Sequence, residues 1–340
     1  MSLNATQPSQ QQPLTYVELI QQNGGQHTLT MWLIMGEKCA LSSIGILFNA
    51  ILVAATLKSK SLRSMCNLLI ALDSAFLALF QLNALITFLL PIFGTNFVPF
   101  WLCFWLQLVP YFSVMMSNCL MFQIALERLT NVLFPIWSKN GNSKRFHAIL
   151  LLLSVMSNCY VMWLQYEMVD GNNSMVFCTS TLVAGLGGLS YTIAFNRAVI
   201  LHILLVVIYI SIYVILKFKK ENQHFSKSIF RSLLFLVFLE TIGWFPTIYL
   251  FQFLKFAQFL PITTTYISTG FTTISSCITG SANAPTLYYF SHLYRDEINA
   301  LLVSIGIKKS AAAGTEQQQQ LNSNPRIPVN VVTRFNNWTG

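Results

Sequence analysis

PFWLCFWLQLVPYFSVMMSNCLMFQIALERLTNVLFPIW, residues 99–137, decides the fold. It is apolar for most of its length, with a cysteine near one end and a Glu-Arg pair near the other. Cys103 and Arg128 stand 25 residues apart, roughly 38 Å of α-helix and enough to cross a hydrocarbon core of about 30 Å. Cys103 is therefore expected at one membrane face and Glu127-Arg128 at the other. The stretch reads as the central helix of a chain that crosses a bilayer several times.

The whole composition agrees. Of 340 residues, 54% are hydrophobic and 9% charged, whereas a soluble domain carries about 25% charged residues. The net charge of +9 would suggest nucleic acid in a soluble protein. Here the basic residues cluster in the connections between apolar spans, so no nucleic-acid partner is expected; the partner is the lipid bilayer. Residues 1–30 are polar and Gln-rich, with no basic region followed by a short apolar run, so no cleavable signal is expected.

Apolar segments of spanning length fall at about 32–57, 65–90, 100–133, 146–168, 188–216, 229–254 and 262–290. The first, third and fifth connections hold Lys58, Lys60 and Arg63; Lys139, Lys144 and Arg145; then Lys217, Lys219, Lys220 and Lys227. Of the 20 Lys and Arg, all but Lys38, Arg197 and Lys255 fall on that side. The positive-inside rule makes it the cytoplasm, with the N-terminus outside and the C-terminus inside. Three parts follow: an extracellular tail at 1–31, a seven-helix domain at 32–302 and a disordered cytoplasmic tail at 303–340, polar and low in complexity. The expected fold is an all-α membrane protein, a seven-transmembrane helix bundle with a short amphipathic eighth helix. That last helix comes from SHLYRDEINALLVSIGIKK, residues 291–309. Leu293, Ile298, Leu301, Leu302 and Ile305 recur at helical spacing, with Arg295, Asp296 and Glu297 opposite.

Two sequons, at Asn4 and Asn172, lie in segments assigned to the outside and are candidate glycosylation sites; a third, at Asn337, lies in the inner tail. Cys103 and Cys178 both fall at the outer boundary, the oxidising side, where a bridge would pin the longest outer loop over the bundle. The alternative is two unrelated thiols. Cys66, Cys119, Cys159 and Cys277 lie within spans and Cys39 near an end, as expected of packing residues.

Polar residues inside the spans are the other candidates. Glu127-Arg128 is followed by Pro135, a proline-led turn seven residues past the arginine. Span six holds Trp244 and Pro246, and a proline there frees a carbonyl and gives the helix a pivot. Span seven holds Asn283, Pro285 and Tyr288. Glu240 and Asp73 are intramembrane carboxylates for which a structural contact and a switching role are both open. Gln107, Tyr111 and Met115 recur one turn apart on span three and face Thr247 and Phe251 of span six, a mixture suited to a small-molecule site. No Ser-His-Asp arrangement, HExxH or phosphate loop occurs, and His27, His147, His202, His224 and His292 are scattered. No enzyme, cofactor or metal site is expected.

The set Asn49, Cys103, Glu127-Arg128 with Pro135, Cys178, Trp244-x-Pro246 and Pro285-x-x-Tyr288 resembles the rhodopsin-like seven-helix G-protein-coupled receptors. The runs KSKSLRSMCNLLIAL (58–72), ALERLTNVLFPIW (125–137) and SANAPTLYYFSHLYRDE (281–297) are similar to the nematode serpentine chemoreceptors, class Srsx. The resemblance implies a receptor for a small external molecule that signals to a heterotrimeric G protein. A neuropeptide receptor, or a small transporter or channel subunit, is the alternative. It also implies a switch made of Glu127, Arg128, Pro135, Trp244, Pro246, Asn283, Pro285 and Tyr288. Several departures stand out. Leu129 replaces the tyrosine of the family's Asp-Arg-Tyr triplet, and Ala284 splits its Asn-Pro. Asp73 lies about one turn before the usual sodium-site aspartate, so a sodium pocket is not expected. Pro110 stands where amine receptors carry an aspartate, so neither is an amine ligand. Glu127 is expected to hold Arg128 at rest as a surface ion pair worth about 1 kcal/mol or less.

Overall fold

The computed structural model describes residues 29–134, 142–169, 174–176, 178, 189–218, 235, 238–239, 241, 243, 275 and 277–306. Five helices among them are long and apolar enough to cross a membrane: α1 (Leu29–Lys58), α2 (Met65–Ile92), α3 (Phe100–Leu133), α4 (Asn142–Val169) and α5 (Leu189–Phe218). Each lies within a few residues of the span expected from hydropathy. Of the other two expected spans, single positions between 235 and 243, and residues 275 and 277–281, are helical. Two shorter helices follow, α6 (Asn283–Phe290) and α7 (His292–Ser304).

Local chemistry sets the ends. Ser64 caps α2, its hydroxyl accepting from the Asn67 amide at 3.3 Å. After α2 the chain turns through Gly94 at φ +77°, a left-handed conformation that glycine adopts without a Cβ clash. Pro99 precedes the first turn of α3, whose leading amides need no helical partner. At Ala282 the helix of span seven breaks before α6 begins. Pro285 has no N–H to donate to the Ser281 carbonyl one turn back, so the ladder cannot run through unbroken.

The α3 helix packs against α2, α4 and α5, and α1 packs against α2. In its most apolar window 56% of α3 is buried, against 22–39% for the other four long helices. The quoted stretch is thus the central helix. The other helices keep apolar faces outward: Ile149, Leu152, Leu153 and Met156 on α4, and Ile200, Ile203, Val207 and Ile210 on α5, are all exposed. Without water to solvate them these faces are stable only against lipid.

At one end of α3 two short strands, β1 (Val98–Pro99) and β2 (Met175–Val176), pair antiparallel with Val98 opposite Val176. The Phe100 amide extends the pairing to the Ser174 carbonyl at 2.9 Å. Cys103 and Cys178 are joined there by a disulfide, Cα–Cα 5.3 Å across a separation of 75 residues. Of the cysteines read as packing residues, Cys66, Cys119 and Cys277 are buried, but Cys159 is exposed on α4.

By contact the chain divides into residues 1–298 and 299–340, with α7 crossing the boundary. Within the second unit α7 closes through the Ile305 and Gly306 amides on the Leu301 and Val303 carbonyls, and Gly306 sits at φ +78°. In the first unit Ile298 is buried as its spacing predicts, and so is Tyr294, which the periodicity did not single out. Burial pushes the Tyr294 phenol up from its ordinary pKa.

Candidate functional site

Among the described residues, one polar cluster lies at the arginine end of α3 and another at mid-depth. At the arginine end, Glu127 Oε2 lies 3.9 Å from Arg128 Nε. Neither atom makes a hydrogen bond. Glu127 Oε1 instead accepts from Asn131 Nδ2 at 2.6 Å, one turn on, and the Thr130 hydroxyl donates to the Glu127 carbonyl at 2.9 Å. The Cys66 thiol of α2 lies against both charged groups, and Tyr209 of α5 is close enough to act on the arginine. The expectation of a surface pair is corrected here: the Glu127 side chain is 7% exposed and that of Arg128 22%. The cause is that α2 and α5 both close over this end of α3. Of the two tyrosines near the end of α5, Tyr209 is buried and Tyr213 exposed.

At mid-depth Asp73 is the node. Its Oδ1 accepts from the Ser117 hydroxyl of α3 at 2.5 Å, and its Oδ2 from Asn283 Nδ2 of α6 at 2.9 Å. The same Asn283 nitrogen lies 3.1 Å from Ser74 Oγ. Asp73 therefore ties α2, α3 and α6 together, which favours a structural contact without closing off a role in switching. Beside it Asn49 of α1 donates to the Gly280 carbonyl at 2.6 Å, and Gln81 of α2 donates to the Ser281 hydroxyl at 3.3 Å. Glycine makes this approach possible, since a Cβ on Gly280 would stand 2.6 Å from Gln81 Nε2. The chain is thus held by α1 and α2 just before its break, at Gly280 and Ser281, and by α2 just after it, at Asn283. Ser275 donates to the Gly243 carbonyl, joining the helical positions of the two last spans.

Of the expected switch residues, Asn283 joins the mid-depth cluster, whereas Tyr288 lies outside it and is partly exposed. Pro135, Trp244, Pro246, Thr247, Phe251, Glu240, Asn4 and Asn172 lie outside the described residues. At the disulfide end Gln107, Tyr111 and Met115 are all buried. Tyr111 accepts from Gln165 Nε2 of α4 at 3.0 Å, a partner that the sequence reading missed. So were Ser117 and Gln81, whose signal was a polar side chain inside an apolar span. Glu297 of α7, expected on the open face, accepts from the Ser61 hydroxyl at 2.7 Å. Ser61 and then Ser59 hold its carboxyl below the usual carboxylate range.

The serpentine type 7TM GPCR chemoreceptor Srsx family covers residues 42–302. The chain is an Srsx-class receptor. Among curated proteins none matches it. The Srsx match spans α1 to α7, with both polar clusters and the disulfide inside it. An Srsx receptor is a multi-pass membrane protein, so the exposed apolar faces of α4 and α5 are its lipid-facing surfaces.

Proposed function

We propose that this Srsx receptor detects a small external molecule and signals to a heterotrimeric G protein. The supporting observation is the placement of Glu127 and Arg128: a charged pair, partly withdrawn from solvent, on α3, which packs against α2, α4 and α5. A pair at 3.9 Å without a hydrogen bond is weakly held, and small rearrangements of α2 or α5 can release it. Release is a shift between two packed states, driven by whatever ligand prefers the second.

In this reading the disulfide end faces the outside of the plasma membrane, with residues 1–31 extracellular and glycans on Asn4 and Asn172. Residues 303–340 form a cytoplasmic tail. The domain between is a full seven-helix bundle, with α7 as the eighth helix along the inner surface. The ligand is bound by Gln107, Tyr111 and Met115 together with Thr247 and Phe251. Trp244 and Pro246 supply the pivot, and Asn283, Pro285 and Tyr288 carry the movement inward. Arg128, the turn at Pro135 and the basic segment 217–227 meet the G protein.

Reconstitution with a heterotrimeric G protein tests this. Arg128→Ala should lose ligand-evoked nucleotide exchange while ligand binding is largely kept. Full exchange by an Arg128→Ala receptor at normal surface level would make Arg128 an interfacial anchor and nothing more.

A further inference from the structure

At the disulfide end, three buried polar atoms in one small region have nothing to bond. Gln107 is 0% exposed, and neither its Nε2 nor its Oε1 has a hydrogen-bond partner. Gln165 is 3% exposed; it spends its Nε2 on the Tyr111 hydroxyl and leaves Oε1 without a partner. Gln107 and Tyr111 are one turn apart on α3, so their side chains share a face. The helices run antiparallel here. Gln123 meets Ser154 at 3.1 Å and Tyr111 meets Gln165 at 3.0 Å, which places Gln107 beyond that second contact, toward the disulfide. The surroundings are apolar and aromatic: Phe104, Met115, Val161, Met162 and Val169 form one buried cluster with Tyr111.

An unpaired buried amide atom costs about 1–3 kcal/mol, and native interiors hold few of them. Three together in an apolar wall mark a place that another molecule completes. An amide group offers both a donor and an acceptor whichever way it is turned. The required partner therefore carries a donor and an acceptor of its own. Charge is absent from this wall among the described residues. Glu167, two residues past Gln165 on α4, is exposed, and Arg197 of α5 is half-buried and donates to Ser157. Lys38 sits on α1 near Cys277. A carboxylate or ammonium ligand would enter this apolar wall with no described counter-charge, at a large desolvation cost.

We propose that Gln107, Tyr111 and Gln165 read a neutral molecule with an apolar body and a head group that both donates and accepts, an aliphatic primary amide or alcohol. This rests on the receptor reading above and names the chemical class its site takes. The three atoms are enclosed in this state, so entry requires the covering groups at the disulfide end to part. Ligand binding is thereby coupled to movement of α3 against α4.

The test uses the full-length receptor in lipid nanodiscs and a series that shares one chain: octanamide, 1-octanol, octanoate, octylamine and octane. The thermal unfolding midpoint is followed with each, for the native chain and for Gln107→Met and Gln165→Met. Octanamide and octanol should raise the native midpoint by a few degrees, and the other three should not. Both substitutions should abolish that rise. Without any probe, Gln107→Met should raise the midpoint, because a volume-matched apolar side chain removes two unpaired atoms. A lowered midpoint for Gln107→Met would make the amide a structural element and overturn the proposal. It is equally overturned if neither neutral head group shifts the native chain, if a shift survives both substitutions, or if octanoate or octylamine shifts the midpoint as much. No G protein is needed for this readout. A receptor that signals to other compounds, with potency indifferent to both substitutions, would sink this inference and leave the receptor reading standing. Selective head-group binding with no G-protein response would do the reverse.

Discussion

Substituting Glu127→Gln isolates the charge on the proposed switch. Glutamine keeps a carbonyl oxygen where Oε1 accepts from Asn131 Nδ2 at 2.6 Å, so the local bond is preserved and the negative charge alone is lost. At 3.9 Å from Arg128 the bare attraction is about 4 kcal/mol at an effective dielectric of about 20. Three features reduce it. The facing atoms make no hydrogen bond, the arginine is 22% exposed, and desolvation of the acid opposes the pairing. A net value of about 1–2 kcal/mol remains, larger than for an open surface pair. If the pair exists only at rest, its loss shifts the resting-to-active ratio about tenfold for each 1.4 kcal/mol. Basal nucleotide exchange by a co-reconstituted G protein, without ligand, should therefore rise roughly five- to thirtyfold from a low starting level. Surface level and unfolding midpoint need to be measured alongside. Unchanged basal exchange in a well-folded Glu127→Gln receptor would refute the reasoning, since the pair would then be equally made in both states.

Four further outcomes follow from the geometry. Asp73→Ala leaves the donors of Ser117 and Asn283 without their carboxylate, but Asn283 still has Ser74 at 3.1 Å and a serine hydroxyl in a helix can fall back on a backbone carbonyl one turn away; the loss should be about 1–2 kcal/mol, seen as a midpoint lowered by several degrees and largely restored in Asp73→Asn. Cys103→Ser and Cys178→Ser each open a 75-residue loop worth about 4 kcal/mol of loop entropy, and surface expression measured by flow cytometry should fall sharply in both. Gly280→Ala brings a methyl to 2.6 Å from Gln81 Nε2; the glutamine must swing away from Ser281, and the midpoint should drop by an amount that Gln81→Ala relieves. Glu297 has its carboxyl held low by Ser61 and Ser59, so the folded form is favoured above the ordinary carboxylate range and that preference fades as pH falls through the lowered value; the midpoint difference between the native chain and Glu297→Gln should be present at neutral pH and vanish in acid.

The sequence by itself determined the first five spans, the central place of residues 100–133 and the position of Cys103 and Cys178 at one boundary, where a bridge was the favoured of two readings. Those follow from local quantities: run length against bilayer thickness, and two cysteines at the boundary of apolar segments. It also marked Glu127, Arg128, Asp73, Asn49 and Asn283 as polar residues that an apolar span must account for. Only the tertiary structure decided which of these meet. Asp73 joins Ser117 and Asn283, from segments 44 and 210 residues away, because helix rotation brings three faces to one point. Hydropathy, which registers how apolar a span is, carries no record of that rotation. The same reason explains why Tyr209 turned inward and Tyr213 outward. Partial burial of the Glu127–Arg128 pair was likewise beyond the sequence, for it depends on α2 and α5 closing over the end of α3. Gln165 is the plainest case. Its partner Tyr111 stands 54 residues earlier on another helix, and the contact exists because the antiparallel register of α3 and α4 sets those two turns side by side.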